Sequence, residues 1–295
     1  MPPGDPTRQP ARDLPLDAHL HTDLSPDSNV PIDVYAAAAA ERGIAELAIT
    51  DHVDFDARDP AYEYSTFEDR ERSVREAAER WAEHGVAIRF GAELTWNRRW
   101  ENDIRAHVAA HPYDFTIGSV HDWPDSPYRP ERVASWARGR NLAELVEPYI
   151  DEVAAGARSG LFDTMGHLDV VKRYLWPHLP ATAFGALPEL LEPVLEALVE
   201  SGTALEVNTS GLRQQPGETY PTAATVVRFR ELGGERVTTG SDAHRAEAFA
   251  FALDAGYEAA AAAGFGELAF RRGTERAVVA IPARFGPNVP RGASL

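Results

Sequence analysis

The stretch Leu16-Asp17-Ala18-His19-Leu20-His21-Thr22 ends a short apolar run with two histidines two positions apart. In a β-strand, alternate residues share a face, so Leu16, Ala18 and Leu20 lie on one side and Asp17, His19 and His21 on the other. A strand that ends this way aims two imidazoles at one point, which is a metal-ligand geometry. Taken alone, such a pair is more often two half-buried histidines, so its meaning depends on what the rest of the chain sends to the same place.

Strand-length apolar runs recur at Glu46 to Thr50, Val86 to Gly91, Phe115 to Val120, Phe162 to Gly166, Ala204 to Val207 and Arg236 to Thr239. Segments of helical period alternate with them, at Pro31 to Arg42, Phe67 to His84, Leu142 to Ser159, Pro188 to Ser201, Thr222 to Leu232 and Glu247 to Ala263. Seven β/α units with no Gly/Ser-rich linker predict one α/β domain, a barrel related to the (β/α)8 type, with a doubly wound sheet as the alternative. The stretch between Val120 and Leu142, rich in Pro, Trp and Arg, reads as an excursion over the barrel mouth. Residues 1–13 are expected to form a disordered leader, because the opening MPPGDPTRQPAR is Pro-rich and polar and has no apolar signal core. The domain is expected to run from 14 to 295.

Composition narrows the chemistry. With 295 residues, 44% of them hydrophobic, the chain can bury a large core. It has no cysteine, which removes disulfides and thiolate metal sites, leaves His, Asp and Glu as metal ligands, and fits a cytoplasmic protein. A formal charge of −17 disfavours nucleic acid and anionic membranes as partners, and no stretch approaches the roughly 20 apolar residues of a membrane span. A small molecule is the expected partner, and the oligomeric state is left open.

The strand ends carry the chemical signal. The second strand runs into Asp51-His52, the third into Glu93, the fourth into His121, the fifth into His167, and the seventh into Asp242 and His244. Six of the ten histidines therefore follow the C-terminal ends of predicted strands, the face on which barrel enzymes build their sites. The other four, His84, His107, His111 and His178, fall in helices or loops and read as surface or capping residues. The pattern points to a site for several metal ions.

Together, HLHTDLSPDS, ITDH, GAEL, GSVH, GHLD and GSDAH, between Asp17 and His244, resemble the motifs of the polymerase-and-histidinol-phosphatase (PHP) superfamily. GHLDVVKRY and EVNTSGLR, followed by ETYP, are similar to its monofunctional histidinol-phosphate phosphatases. The resemblance implies a distorted (β/α)7 TIM-like barrel with three divalent ions, Zn, Fe or Mn. It assigns His19, His21, Glu93 and Asp242 to one ion, Glu93, His121 and His167 to a second, and Asp27, His52 and His244 to a third. Two places depart from the family pattern: Asp27, where many members carry His and others Asp, and the HDWP sequence that begins at His121.

Such a cluster, with three carboxylates, neutral histidines and a bridging hydroxide, keeps a net charge of about +2 and suits an anion. The reaction implied is attack by metal-activated hydroxide on a phosphomonoester, L-histidinol phosphate, giving L-histidinol and phosphate in histidine biosynthesis. Arg213, after the sixth strand, is the first candidate to present a guanidinium fork to phosphate, and Arg173 the second. Asp17 and Asp51 are candidates either to orient metal-bound histidines or to cap turns. Asp122, Trp123, Tyr128, Glu218 and Tyr220 are candidates to hold the ammonium and imidazole, or to pack loops. The alternatives are another small phosphoester such as a nucleotide, a non-catalytic metal-bound interaction module, and an amidohydrolase on a similar barrel.

Overall fold

Apolar runs bounded by turn residues bury best as parallel strands covered by helices, and the chain alternates the two in order. In the computed structural model, which describes residues 11–286, the order is β1 (Leu16–Leu20), α1 (Ile32–Arg42), β2 (Glu46–Ile49), β3 (His52–Val53), α2 (Phe67–Ala82), β4 (Ala87–Thr95), α3 (Glu101–Ala110), β5 (Phe115–Ser119), α4 (Pro130–Ala137) and α5 (Leu142–Ser159). There follow β6 (Thr164–Met165), α6 (Val171–Leu175), α7 (Leu187–Leu190), α8 (Glu192–Ser201), β7 (Ala204–Asn208), α9 (Ala223–Glu231), β8 (Val237–Gly240), α10 (Leu253–Ala262), β9 (Glu267–Arg272) and β10 (Glu275–Ala280). Strands β1, β2, β4, β5, β6, β7 and β8 lie side by side in that order, all parallel, and β3 pairs with β4.

The sheet nearly closes into a distorted TIM-like barrel. Between β8 and β1 there is no regular ladder, and the seam is bridged just past the strand ends. His21 N–H donates to the Ala243 carbonyl at 3.0 Å and Asp242 N–H to the His19 carbonyl at 2.8 Å. Gly240 permits this approach, because a Cβ there would collide with the Cβ of His19. The chain's first residues with described structure are packed: Ala11 is buried and donates to the Ala250 carbonyl at 3.1 Å, and Asp13 donates to the Arg42 carbonyl at 2.8 Å. The expected leader is thus corrected at its end, where Ala11 to Asp13 are held by backbone bonds; the remainder, 1–10, lies outside the described residues.

Two expected helices differ, and one hairpin was not expected. The helix expected from Pro188 splits at Leu191 into α7 and α8, because Pro193 has no N–H with which to continue the first segment's ladder. The helix expected from Glu247 starts at Leu253 instead, since Ala250 and Ala252 take φ of 53° and 52°. That turn seats Phe249 against Tyr35, at a ring separation of 5.5 Å, and lets Arg42 donate to the Phe249 carbonyl at 2.8 Å. The hairpin β9–β10 had no strong alternating pattern to announce it. No helix among the described residues is long and apolar enough to cross a membrane.

The hairpin is tied to the N-terminal ends of the barrel strands by ion pairs. Buried Glu46, at the start of β2, accepts from Arg272 and from Arg89 at 2.5 Å each. Burial raises the Glu46 pKa, but the two guanidinium groups outweigh it and hold the group below its ordinary 4.5. A depressed folded pKa gives stability that is complete above the unfolded value and lost as pH falls through the folded one. Glu46→Gln should therefore cost about 2 kcal/mol at pH 7, and urea melts should show the difference from wild type shrinking as the pH is lowered below about 4.5. An equal difference at pH 7 and at acid pH would contradict the ion-pair account.

Candidate metal centre

Parallel strands in one sheet bring all their C-terminal ends to one rim. On β1, alternation puts Leu16, Ala18 and Leu20 into the apolar layer and sends His19 and His21 to the barrel end, both fully buried. The register of β3 on β4 sets His52 directly opposite Glu93, and that of β5 on β4 sets Glu93 opposite Ile117. Two further residues reach the centre from left-handed backbone, His167 with φ of 22° and Asp242 with φ of 52°. Non-glycine residues pay for that conformation, and it is tolerated here where both side chains are turned into the cluster.

All nine expected ligands converge. The Oε2 of Glu93 lies 3.4 Å from His19 Nε2, 3.3 Å from His21 Nε2 and 3.0 Å from His52 Nδ1. Its Oε1 faces the other way, 2.9 Å from His167 Nε2 and 3.4 Å from His121 Nε2. The Oδ1 of Asp242 is 3.8 Å from His19 Nε2, 3.5 Å from His21 Nε2 and 3.3 Å from His244 Nδ1. Asp27 Oδ2 closes the outer group, 3.3 Å from His52 Nε2 and 3.1 Å from His244 Nε2.

These spacings test the fit of an ion. Two atoms each about 2.1 Å from one ion, at tetrahedral angles, lie about 3.4 Å apart. His19 Nε2 and His21 Nε2 are 3.0 Å apart, and their distances to Glu93 and Asp242 fall around that value. Three overlapping groups, His19, His21 and Asp242, His52, Glu93 and His121, and His21, His52 and His244, each bring three donor atoms within 4.8 Å of one another. The donor set, imidazole and carboxylate with no thiolate, suits divalent Zn, Fe or Mn.

Charge is balanced within the cluster: burial lowers the pKa of His19 and His52, but the surrounding carboxylates outweigh it and raise both well above the ordinary histidine value. Burial raises the pKa of Glu93, but His19, His52 and His121 outweigh it and hold the group well below its ordinary value. Asp242 and Asp27 are likewise lowered against their burial, by the histidines around them. His21 is pushed well down by burial, then by His244 and His52, which leaves a neutral imidazole with a lone pair to give.

Two residues that the sequence reading missed complete the centre. Glu206, fully buried on β7, accepts from His19 Nδ1 at 2.6 Å, from the His167 N–H at 2.8 Å and from Asn208 Nδ2 at 3.1 Å. A proton held on Nδ1 leaves the His19 Nε2 lone pair facing the cluster. Asn208 also donates to Asp242 Oδ2 at 3.3 Å. Their signal was present: in Ala204–Asn208 two polar side chains alternate with buried Leu205 and Val207, the same pattern that marks His19 and His21.

Asp17 and Asp51 serve the loops. Asp17 accepts from the Ser241 N–H and hydroxyl at 2.8 and 2.6 Å, and burial pushes its pKa up to about 6 against those bonds. Asp51 accepts from the Thr22 N–H and hydroxyl and from Ser25, at 2.6 to 2.9 Å. Neither bonds an imidazole ring; Asp51 reaches His21 only through Ser25, whose hydroxyl is 3.5 Å from His21 Nδ1.

A cavity of about 380 Å³ opens above the centre, lined by Asp27, His52, Glu93, His121, His167, Asp242 and His244 and, farther out, by Asp54, Asp122, Arg173, Tyr174 and Gln214. The two arginines are placed differently. Arg213 donates from its terminal nitrogens to the Ser241 and Asp242 carbonyls, at 2.7 and 2.5 Å, so much of its fork is spent on the loop that carries Asp242. Arg173 is exposed, lines the cavity and makes no side-chain hydrogen bond or ion pair among the described residues. Of the five residues expected to hold the ammonium and imidazole, Asp122 lines the cavity. Tyr128 and Tyr220 are buried with their hydroxyls given to the Leu145 carbonyl and Gln214, Trp123 packs on Tyr128, and Glu218 pairs with Lys172 at 2.7 Å.

Known proteins share this arrangement of sequence and fold. The probable histidinol-phosphatase of Deinococcus radiodurans is 32% identical over 234 residues, which cover 78% of this chain and 86% of that protein. The histidinol-phosphatase of Lactococcus lactis is 26% identical over 265 residues, 86% of this chain and 93% of its own. A crystal structure of the Lactococcus lactis histidinol phosphate phosphatase, complexed with zinc, L-histidinol and phosphate, superposes with a TM-score of 0.76 at 25% identity, covering 89% of this chain and 98% of that one. Residues 17–210 match the PHP domain, a span that takes in seven of the nine converging residues, and on that match the chain belongs to the PHP family.

Proposed function

We propose that this chain is a metal-dependent phosphomonoesterase that hydrolyses L-histidinol phosphate to L-histidinol and phosphate, with three divalent ions held by the nine converging residues. The observation that carries the reading is Glu93, whose two oxygens face two separate sets of imidazoles and so fit a bridge between ions. Support for the substrate comes from the relatives named histidinol-phosphatase and from the zinc, L-histidinol and phosphate in the Lactococcus lactis structure. His19, His21, Glu93 and Asp242 would hold one ion, Glu93, His121 and His167 the second, and Asp27, His52 and His244 the third.

Divalent ions in such a centre lower the pKa of water toward neutrality and neutralise charge on phosphoryl oxygens. The chain's own groups do the rest. Arg173, unpaired at the cavity wall, takes the phosphoryl oxygens that point away from the cluster, and its fork suits their geometry. Arg213 holds the Ser241–Asp242 backbone, so Asp242 keeps its left-handed turn and its aim, and its remaining N–H groups add positive field at the phosphate end. Asp54 and Asp122, half-buried in the lining of the same cavity, supply the negative charge for the ammonium of the amino-alcohol. Hydrolysis breaks the P–O bond to the histidinol oxygen, which leaves with a proton while water supplies the new oxygen of phosphate.

Phosphate release should be fastest with L-histidinol phosphate in a panel that includes nucleoside monophosphates and a phosphopeptide, and a strong chelator should remove it. A preference for a nucleotide by more than tenfold would move the reading to another small phosphoester, and no release from any member would favour a non-catalytic module.

Glu206→Gln keeps the size of the side chain but weakens the acceptor that fixes the His19 ring. Metal affinity, read by competition with a chromophoric chelator, should fall about 10- to 100-fold while the thermal melt of the metal-loaded protein stays cooperative. Unchanged affinity would remove Glu206 from the support of the centre.

Arg173→Ala should lower kcat/KM by about 30- to 1000-fold, equivalent to about 2 to 4 kcal/mol of transition-state stabilisation, with full metal content. Arg173→Lys should recover only part of the loss, because a point charge lacks the fork. A kcat/KM for Arg173→Ala within a factor of about two of wild type would exclude the residue from phosphate binding.

A further inference from the structure

Arg70, on α2, is 4% exposed, yet its guanidinium makes no hydrogen bond or ion pair among the described residues, and its Nε is sealed without a partner. A guanidinium taken out of water is costly unless its N–H groups are met. Two groups of opposite or latent negative charge interact with it at longer range, Asp51 and Tyr113. Both are already engaged: Asp51 accepts from Thr22 and Ser25, and the Tyr113 hydroxyl bonds His107 Nε2 at 2.9 Å. Among the described residues the guanidinium therefore has no hydrogen-bond or ion-pair partner, and Asp51 offsets its charge only at longer range.

What it faces is a cavity of about 580 Å³, distinct from the metal cavity but sharing Asp54 and Ala61 as a common wall. The walls are rings. Phe55 meets His107 edge-on at 5.5 Å, Phe67 meets His111 at 4.5 Å and Tyr113 at 5.3 Å, and His107 and His111 stand 4.1 Å apart. Burial, with help from His111 and Arg70, lowers the His107 pKa to about 4, so it is neutral at physiological pH. Arg70 is the one Lys or Arg side chain that lines this cavity, while Glu63 and Glu68 line it from exposed positions.

We infer that this second cavity binds a small carboxylate that carries a flat ring, with the carboxylate on the Arg70 guanidinium and the ring among Phe55, Phe67 and His107. One guanidinium matches one negative charge and offers two parallel N–H groups to two oxygens. A phosphate dianion suits the cavity less well, because a single cation would have to balance it beside Asp54, Glu63 and Glu68. The aromatic walls favour a planar body by stacked or edge-on contact. None of the metal-centre ligands lines this cavity, so the inference stands apart from the proposed activity.

The test is calorimetric titration of the metal-loaded protein, saturated with inorganic phosphate to occupy the metal cavity, with benzoate and with benzylamine. Benzoate should bind with one-to-one stoichiometry and benzylamine at least tenfold more weakly. Arg70→Gln should weaken benzoate at least tenfold, whereas Arg173→Gln should leave it within twofold. Because Arg70→Gln removes an unpaired buried charge, its melting temperature should equal or exceed that of wild type. Phe55→Ala leaves the guanidinium in place and should weaken benzoate by a larger factor than acetate, which keeps the proposal testable if Arg70→Gln fails to fold. Absence of benzoate binding, equal binding of benzylamine, unchanged affinity in Arg70→Gln, or an unchanged benzoate-to-acetate ratio in Phe55→Ala would overturn it.

Discussion

One carboxylate organises this protein. Glu93 is buried at the end of β4 with nitrogen atoms of five histidines within 3.4 Å, His19, His21 and His52 on one oxygen and His121 and His167 on the other. Those histidines come from four different strand ends, so the cluster exists only if the strands sit in register. A one-residue slip of β3 on β4 would turn His52 away from Glu93, because side-chain direction in a strand reverses at every residue. Carboxylates and imidazoles packed this closely at a buried barrel end offset one another's charge, and the same donor atoms suit a divalent cation.

The barrel's irregularities serve the same cluster. The β1–β8 seam lacks a regular ladder because the chain beyond Gly240 turns inward to deliver Asp242 and His244, and the bridging hydrogen bonds fall between His19, His21, Asp242 and Ala243. Closing the seam with regular pairing would keep those residues in a strand, alternating between the two faces, and would send Ala243 or its neighbours to the wrong side. Asp17, Arg213 and Asn208 then fix that turn from three directions, through Ser241, the Ser241 and Asp242 carbonyls, and the Asp242 carboxylate. Backbone strain at Asp242 is held in place by this over-determination.

The sequence made much of this legible because strand period and ligand chemistry coincide. His19 and His21 are readable from alternation alone, and the recurrence of His and carboxylate after later strands marked the rim. Asp242 and His167 were found by position, though no local pattern predicts their left-handed backbone. Glu206 and Asn208 escaped because acid and amide side chains in an apolar strand look unfavourable until their partners, His19 and Asp242, are known to face them. The β9–β10 hairpin escaped because its stability comes from distant pairs, Arg272 with Glu46 and Arg271 with Asp163, which no short window contains. The expected order, Arg213 before Arg173, rests on motif position, whereas an arginine's surroundings depend on which carbonyls lie within reach, and those of Ser241 and Asp242 are set only by the turn.

The metal side and the substrate side are held by different means. Seven of the nine converging residues sit on strands or within two residues of them, where neighbouring backbone restrains them tightly, and Asp27 and His244 lie in the loops just beyond, whereas Arg173, Asp122 and Gln214 sit on connecting segments over the mouth. Buried Lys172 cross-links two of those segments, bonding Asp169 at 2.8 Å at the start of the α6 region and Glu218 at 2.7 Å in the loop after β7. The Lys172 ammonium also stands 5.0 Å over the Tyr220 ring, so one cation joins the Arg173 segment to the Arg213 segment. Burial alone would lower the Lys172 pKa, but the two carboxylates outweigh it and keep the group charged. A charged cross-link of this kind keeps the segment that bears the free guanidinium in a fixed position over ligands whose own positions are set by the barrel. Substrate preference can therefore change through the connecting segments while the register that builds the metal centre stays the same.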